Sequence, residues 1–405
     1  MKILVFSHQL VIGGTPINAI DLATALRDQH GHDVVLFAAP GPLLSIVKQR
    51  GLRYLPAPEA HWHPSPARMK ALRAAVRSER PDVIHVWDWF QCLDAYFSVH
   101  LAMRVPLVVT DMMMNVTRVL PKKLPTTFGT QELVDLARAT GRGPLRYLPP
   151  PVDIDANAPG AVDTQAFRAQ FGIDRSAFNV VTVSRLANCM KAESLMRTLE
   201  VVAALGRKLP VRFVIVGDGQ ARAELQAMAD QTNAALGRNA VVLTGELVDP
   251  RAAYESADAV VGMGGSALRG MAFGKPVIVV GEGGFSRLLE PGTAAYFSYK
   301  GLYGIGARGA GNEALAADLS RLAASPALTK ELGAFARRFV VDQYSIAKVS
   351  TELSDLFRMA ASEPPSRLRA AVDGLRTATI YLRERRFRIR SIDPGQNRQT
   401  EVSPG

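Results

Sequence analysis

Short, uninterrupted runs of β-branched residues, each closed by a glycine or a cation and followed by a helical stretch, constrain this chain more than any other feature. Val180 to Val183 and Phe213 to Val216 are of this kind. Apolar runs of that length belong to strands buried on both faces of a parallel sheet. Ile3 to Phe6, Val105 to Thr110 and Ala259 to Val261 repeat the pattern, and strands alternating with helices through both halves predict an α/β chain. With 405 residues, 48% of them hydrophobic, the sequence exceeds one core, so two domains are expected. The prolines of Pro149-Pro150-Pro151-Val152-Asp153 stiffen a connector and mark the boundary. The expected division is 1–150, 151–340, a terminal helix over 341–361 and a basic tail over 362–405.

In open parallel sheets, ligands sit beyond the carboxyl ends of the strands. Three segments place chemistry there. They are Val181-Thr182-Val183-Ser184-Arg185-Leu186 with Lys191 six residues after the arginine, Val214-Ile215-Val216-Gly217-Asp218-Gly219, and Met271-Ala272-Phe273-Gly274-Lys275-Pro276-Val277. Arg185 carries a planar fork that grips phosphate at two points, and Lys191 is a mobile point charge. A departing diphosphate gains charge as its bond to a sugar breaks, so both cations are candidate catalytic groups. The plainer alternative makes them surface cations after a strand. Gly13-Gly14 follows the first strand and precedes a helical stretch, where open amides meet an anion.

The order of these segments resembles the retaining nucleotide-sugar glycosyltransferases of the two-Rossmann-domain, or GT-B, type, family 4 in particular, over about residues 1 to 360. The resemblance implies two Rossmann-like domains whose parallel sheets face a cleft, a nucleotide-diphosphate sugar held mainly by the second domain, and a hydroxyl acceptor on the first. It further implies retention of configuration, no metal and no cofactor beyond the sugar donor as co-substrate. Gly217, Gly219 and Leu247 take donor-binding places by this resemblance, and a helix over Phe339 to Phe357 returns to the first domain.

Two departures stand out. The family's paired glutamates fall at Val261 and Arg269, and the loop between Asp258 and Gly274 is short. Gly264, Gly265 and Ser266 then form a rebuilt turn whose amides cradle phosphate, with Ser266 as a helix cap. Arg269 either adds a cation to the diphosphate, recognises an acidic donor sugar, or faces solvent. Glu282 is the candidate replacement acceptor for the ribose. In the first domain, Asp111 stands where the family often places a histidine. It either acts as general base on the acceptor or caps a turn. His85 and Asp88 end another strand on the acceptor side, where Trp87 either stacks on a sugar or packs in the core.

A net charge of +11 and a pI of about 9.8 call for an acidic partner or none. Nucleotide donors and anionic membrane surfaces fit; nucleic acid ranks last, because no zinc-finger spacing or RNA-binding aromatic signature occurs. The tail, with Arg383, Arg385, Arg386, Arg388 and Arg390 around Leu382, Phe387 and Ile389, is either a membrane contact or a solvated extension. The His61 and His63 pair lacks a third metal ligand. Two cysteines without metal spacing point to a reducing compartment, and no secretion signal or bilayer-length apolar run occurs, so the cytoplasm is expected. A noncatalytic subunit of the same fold and a sugar-nucleotide epimerase are the competing readings.

Overall fold

The structure, a computed structural model, describes residues 1–60, 62–307, 311–363, 365–385 and 391–392. His61 and the run Arg386-Phe387-Arg388-Ile389-Arg390 lie outside these residues. The chain divides into two compact units, Met1–Pro151 with Ile346–Gly405, and Val152–Ser345.

The first unit is built on β1 (Lys2–Phe6), β2 (Asp33–Ala38), β3 (Arg53–Pro56), β4 (Val83–Trp87) and β5 (Leu107–Asp111). After the short β6 (Val116–Thr117), β7 (Thr126–Phe128) and β8 (Leu145–Tyr147) complete a seven-stranded sheet. Its order is β3-β2-β1-β4-β5-β7-β8, and every neighbouring pair is parallel. Successive side chains of a strand point to opposite faces. Ile3 and Val5 of β1 accordingly enter one apolar cluster and Leu4 and Phe6 another.

The second unit repeats this plan with β9 (Phe178–Val183), β10 (Val211–Val216), β11 (Val241–Gly245), β12 (Ala259–Gly262), β13 (Val277–Val280) and β14 (Ser286–Leu288). The order is β11-β10-β9-β12-β13-β14, with β13 and β14 the antiparallel pair. Val181 and Val214 face one cluster, Val180 and Phe213 the other. The expected α/β class forms, with the first sheet wholly parallel and the second parallel except at β14. In each sheet the strand order reverses next to the first strand, between β1 and β4 and between β9 and β12. Such reversals open a crevice at the carboxyl ends of the strands.

The C-terminal region differs from the expectation of one long helix over Phe339 to Phe357. Two helices occur, Pro326–Tyr344 and Ile346–Ser362. Between them Ser345 is extended, with φ −60° and ψ 137°, and the Val152 amide donates to the Tyr344 carbonyl at 2.9 Å. A single extended residue leaves apolar spacing intact on both sides, so periodicity alone conceals it. Val349, Leu353, Leu356 and Phe357 then fill one cluster of the first unit, each contributing about 2 kcal/mol by burial.

The expected tail is partly a structural element. A helix over Arg367–Arg385 packs on the first unit, with Gly374 against Tyr96 and Leu101. The Tyr96 hydroxyl donates to the Ala370 carbonyl at 2.8 Å. Ser391–Ile392 (β15) pairs antiparallel with β6.

Candidate functional site

Arg185 lies two residues beyond β9, at the reversal of the second sheet, and is exposed. Lys191 is half-buried at the start of the helix Ala192–Leu205. Burial first, and the charge of Arg185 second, draw its ammonium down to about 8. Among the described residues, no side-chain hydrogen bond or ion pair satisfies either cation. The carboxylate closest along the chain, Glu193, points elsewhere: it accepts from the amides of Gly283 and Gly284 at 3.1 and 2.6 Å. Two cations kept apart from the nearby acid form a candidate site for a multiply charged anion.

Gly217 and Gly219 pack against the backbone of the residues on either side of Arg185. Their φ values of 143° and 149° are open to glycine. A Cβ on Gly217 would stand 1.8 Å from the Ser184 carbonyl oxygen, and one on Gly219 would stand 2.7 Å from that of Leu186. The closeness permits the Leu186 amide to donate to the Asp218 carbonyl at 2.8 Å, and the Ser184 amide to that of Val216 at 2.9 Å. The glycines therefore set the course of the chain that presents Arg185. Leu247, beyond β11, is half-buried against the core of this unit, and its neighbour Val248 is almost fully exposed.

On the other side of the reversal, Gly264 caps the helix Gly265–Ala272 with φ 54°. Its amide is taken by the Leu302 carbonyl at 2.8 Å, whereas Gly265 is exposed. Ser266 is not the cap that was expected. It lies inside the first turn, where its hydroxyl accepts from the Tyr254 hydroxyl at 3.1 Å. Arg269 is half-buried and folds back over that turn, its Nη1 3.4 Å from where a Cβ on Gly265 would stand. It has no hydrogen-bond or ion partner among the described residues. Val261 is buried in β12, so the position of the family's first glutamate is core here. Glu282 accepts from the Tyr303 hydroxyl, and its backbone is bridged to Ile305. The Tyr303 hydroxyl thus engages one oxygen of the nominated ribose acceptor.

In the first unit, Gly13 precedes the helix Gly14–Asp28 without a side-chain cap, and the space beside Gly14 is open. The reversal between β1 and β4 holds a group that sequence reading missed. His8 follows β1, and its Nε2 is 2.9 Å from Asp88 Oδ2, with the imidazole about a quarter exposed and the carboxylate buried. Asp88 sits just past β4 in a left-handed conformation, φ 55°, and its Oδ1 accepts from the Met112 amide at 2.7 Å. Asp111, at the end of β5, is wholly buried and accepts from the Met113 amide at 3.0 Å. Burial and the neighbouring Asp88 carboxylate raise Asp111 well above the usual carboxylate range. Burial thus biases Asp111 toward its protonated form, and His8 is the partly open member of the group. The signal lay in Ser7-His8-Gln9, a polar break directly after a buried strand.

His85 and Trp87 are corrections. Both lie inside β4 and are fully buried. His85 Nε2 is 2.7 Å from Thr110 Oγ1, and its ring stands 5.1 Å from those of Trp87 and Phe357. Burial brings His85 down to about 3, so it is neutral at ordinary pH. Residues two apart in a strand share a face, and this face carries the Ile346–Ser362 helix. Asp88, past the strand end, is buried too, but its carboxylate meets the partly exposed His8.

Two family models match the sequence: Glycosyl transferases group 1 over residues 177–325 and Glycosyltransferase Family 4 over residues 12–111. No curated protein sequence matches it. Among solved structures, a glycosyltransferase from Rickettsia africae is similar with TM-score 0.70 at 14% identity, covering 89% of this chain and 98% of that one. Anabaena HepE in complex with UDP-glucose has TM-score 0.65 at 16% identity, covering 89% and 100%. The sucrose-phosphate synthase of Thermosynechococcus elongatus has TM-score 0.65 at 17% identity, covering 89% and 99%.

Proposed function

The chain is a GT-B glycosyltransferase resembling family 4, and from that premise we propose that it moves a hexosyl group from a nucleotide-diphosphate sugar to a hydroxyl acceptor without a metal ion. The observation that carries this reading is the uncompensated pair Arg185 and Lys191 at the β9–β12 reversal. The acceptor oxygen attacks the anomeric carbon while the bond from that carbon to the β-phosphate oxygen breaks. The electron pair leaves with the nucleoside diphosphate, whose growing charge the two cations stabilise. Arg269 lies across the same reversal as a third cation. The uridine series is the first to test, since HepE is known in complex with UDP and UDP-glucose. With both cysteines free, the proposed location is the reducing cytoplasm.

Two fates of the acceptor proton give two stereochemical outcomes. Family 4 resemblance favours transfer to the departing phosphate on the same face, with retention. The His8–Asp88 contact favours a second reading, in which His8 takes the proton and direct displacement inverts the configuration. The configuration of the product bond, read by NMR coupling constants, separates them.

Calorimetric titration with a panel of nucleoside diphosphates tests the proposal. Selective binding that is lost in Arg185→Ala and Lys191→Ala supports it. Absence of binding throughout the panel would overturn it and favour a noncatalytic subunit.

A further inference from the structure

The helix Arg367–Arg385 has two worked faces. Its inner face is fastened to the first unit. Ala370, Asp373, Gly374, Thr377 and Glu384 are buried, Asp373 Oδ2 accepts from the Lys123 amide at 2.9 Å, and Glu384 Oε1 is 3.2 Å from Arg118. The outer face is open and largely apolar, interrupted by Thr379, whose hydroxyl donates to the Leu375 carbonyl. Leu368, Val372, Leu375 and Leu382 are 75%, 62%, 72% and 66% exposed. At 100° per residue these four fall in one stripe about 80° wide. Exposed Arg369 and Arg383 lie along one flank, and exposed Arg367 and Arg385 along the other.

Isolated exposed leucines are ordinary, but a stripe of four on a helix already anchored by its opposite face marks an interaction surface. Both acids of the helix, Asp373 and Glu384, are turned inward, so the outer face presents only positive charge. A second copy meeting this face would set arginine against arginine with no acid to compensate. An anionic bilayer satisfies both features, because leucines enter the acyl boundary while flanking arginines reach the headgroup phosphates. Trp62, 68% exposed, stands beside the helix end with the Arg385 guanidinium 5.3 Å from its ring centre. Tryptophan prefers that interfacial depth. No helix among the described residues is long and apolar enough to cross a membrane, so such a contact would lie in the interface plane.

We propose that the outer face of Arg367–Arg385, with Trp62, docks the protein onto an anionic lipid surface. This deepens the expected membrane contact by naming its residues, and it stands apart from the transferase reading because its readout is lipid binding. The test is flotation of the full chain with vesicles of phosphatidylcholine alone and of phosphatidylcholine mixed with phosphatidylglycerol. Three proteins are compared: the wild type, Leu375→Ser with Leu382→Ser, and Arg369→Glu with Arg383→Glu. The wild type is expected to bind the mixed vesicles only, and more weakly at high salt. Both double variants are expected to bind at least about tenfold more weakly, with melting temperatures unchanged because the altered positions are exposed. Failure of the wild type to bind mixed vesicles, or equal binding by the variants, would overturn the proposal. So would a wild-type dimer in sedimentation that the leucine variant dissociates while vesicle binding is absent.

Discussion

His8 Nε2 stands 2.9 Å from Asp88 Oδ2, across the two strands where the order of the first sheet reverses. The contact lies within ion-pair distance but lacks hydrogen-bond geometry; in the reading where His8 takes the proton, the carboxylate's charge stabilises the imidazolium that forms. In that reading, replacing His8 by Gln is expected to lower kcat about 100-fold to 10,000-fold and to leave nucleoside diphosphate affinity unchanged. Steady-state kinetics with calorimetry on the same samples checks this. A change confined to KM would remove His8 from proton transfer.

Asp111 lies beside that pair as a carboxyl whose proton is held more tightly than usual. Its folded value is raised, so above the unfolded value of about 4 the folded chain holds more protons than the unfolded one. Stability from this group is full below that value and is lost as pH rises toward the raised one. Asp111→Asn, which keeps an oxygen for the Met113 amide, should gain in melting temperature relative to the wild type as pH climbs from about 4 to about 8. It should also retain most turnover. Complete loss of turnover would instead make Asp111 the base.

Lys191 predicts a pH-dependent donor affinity. Its ammonium, at about 8 in the free protein, loses charge as pH rises through that value, so nucleoside diphosphate binding should weaken above it. Lys191→Arg should flatten the profile, because guanidinium stays charged. Lys191→Ala and Arg185→Ala should each cost about 2 kcal/mol of binding at pH 7. Titrations at several pH values read all of these; a flat wild-type profile counts against the role of Lys191.

Gly217→Ala tests the platform under Arg185. The added methyl would meet the Ser184 carbonyl oxygen at 1.8 Å, and the backbone there is left-handed. A loss of about 3 kcal/mol in chemical denaturation is expected, together with weaker diphosphate binding than any other single change near β10 produces. Unchanged stability would refute the close approach.

Arg269 has three expected roles that one comparison separates. Arg269→Gln should weaken nucleoside diphosphate binding about tenfold if it serves the phosphates. It should spare the diphosphate but weaken a nucleotide uronic acid if it reads an acidic sugar. No change with either ligand assigns it to solvent.

Much of this was legible in local sequence. The continuous apolar runs announced strands buried on both faces, and β1, β4, β9 and β10 are such strands. Arg185, Lys191, Gly217 and Gly219 were nominated because they follow those strands at short spacing, and the structure places them beyond the strand ends. Spacing also misled. His85 and Trp87 belong to a strand interior and lie in the core, and Ser266 is inside a helix turn rather than at its cap.

What the sequence determined by itself is therefore the set of elements and the chemistry at their ends, because hydrophobic period, glycine turns and charge act over a few residues. The order in which strands lie side by side was decided only by the tertiary structure. Pairing β1 with β4, and β9 with β12, joins segments about 80 residues apart along the chain. That pairing brings His8 to Asp88 and sets Arg269 across the reversal from Arg185. Burial did the rest, raising Asp111 and lowering Lys191, since desolvation depends on every atom packed around a charge and no local window of sequence contains them.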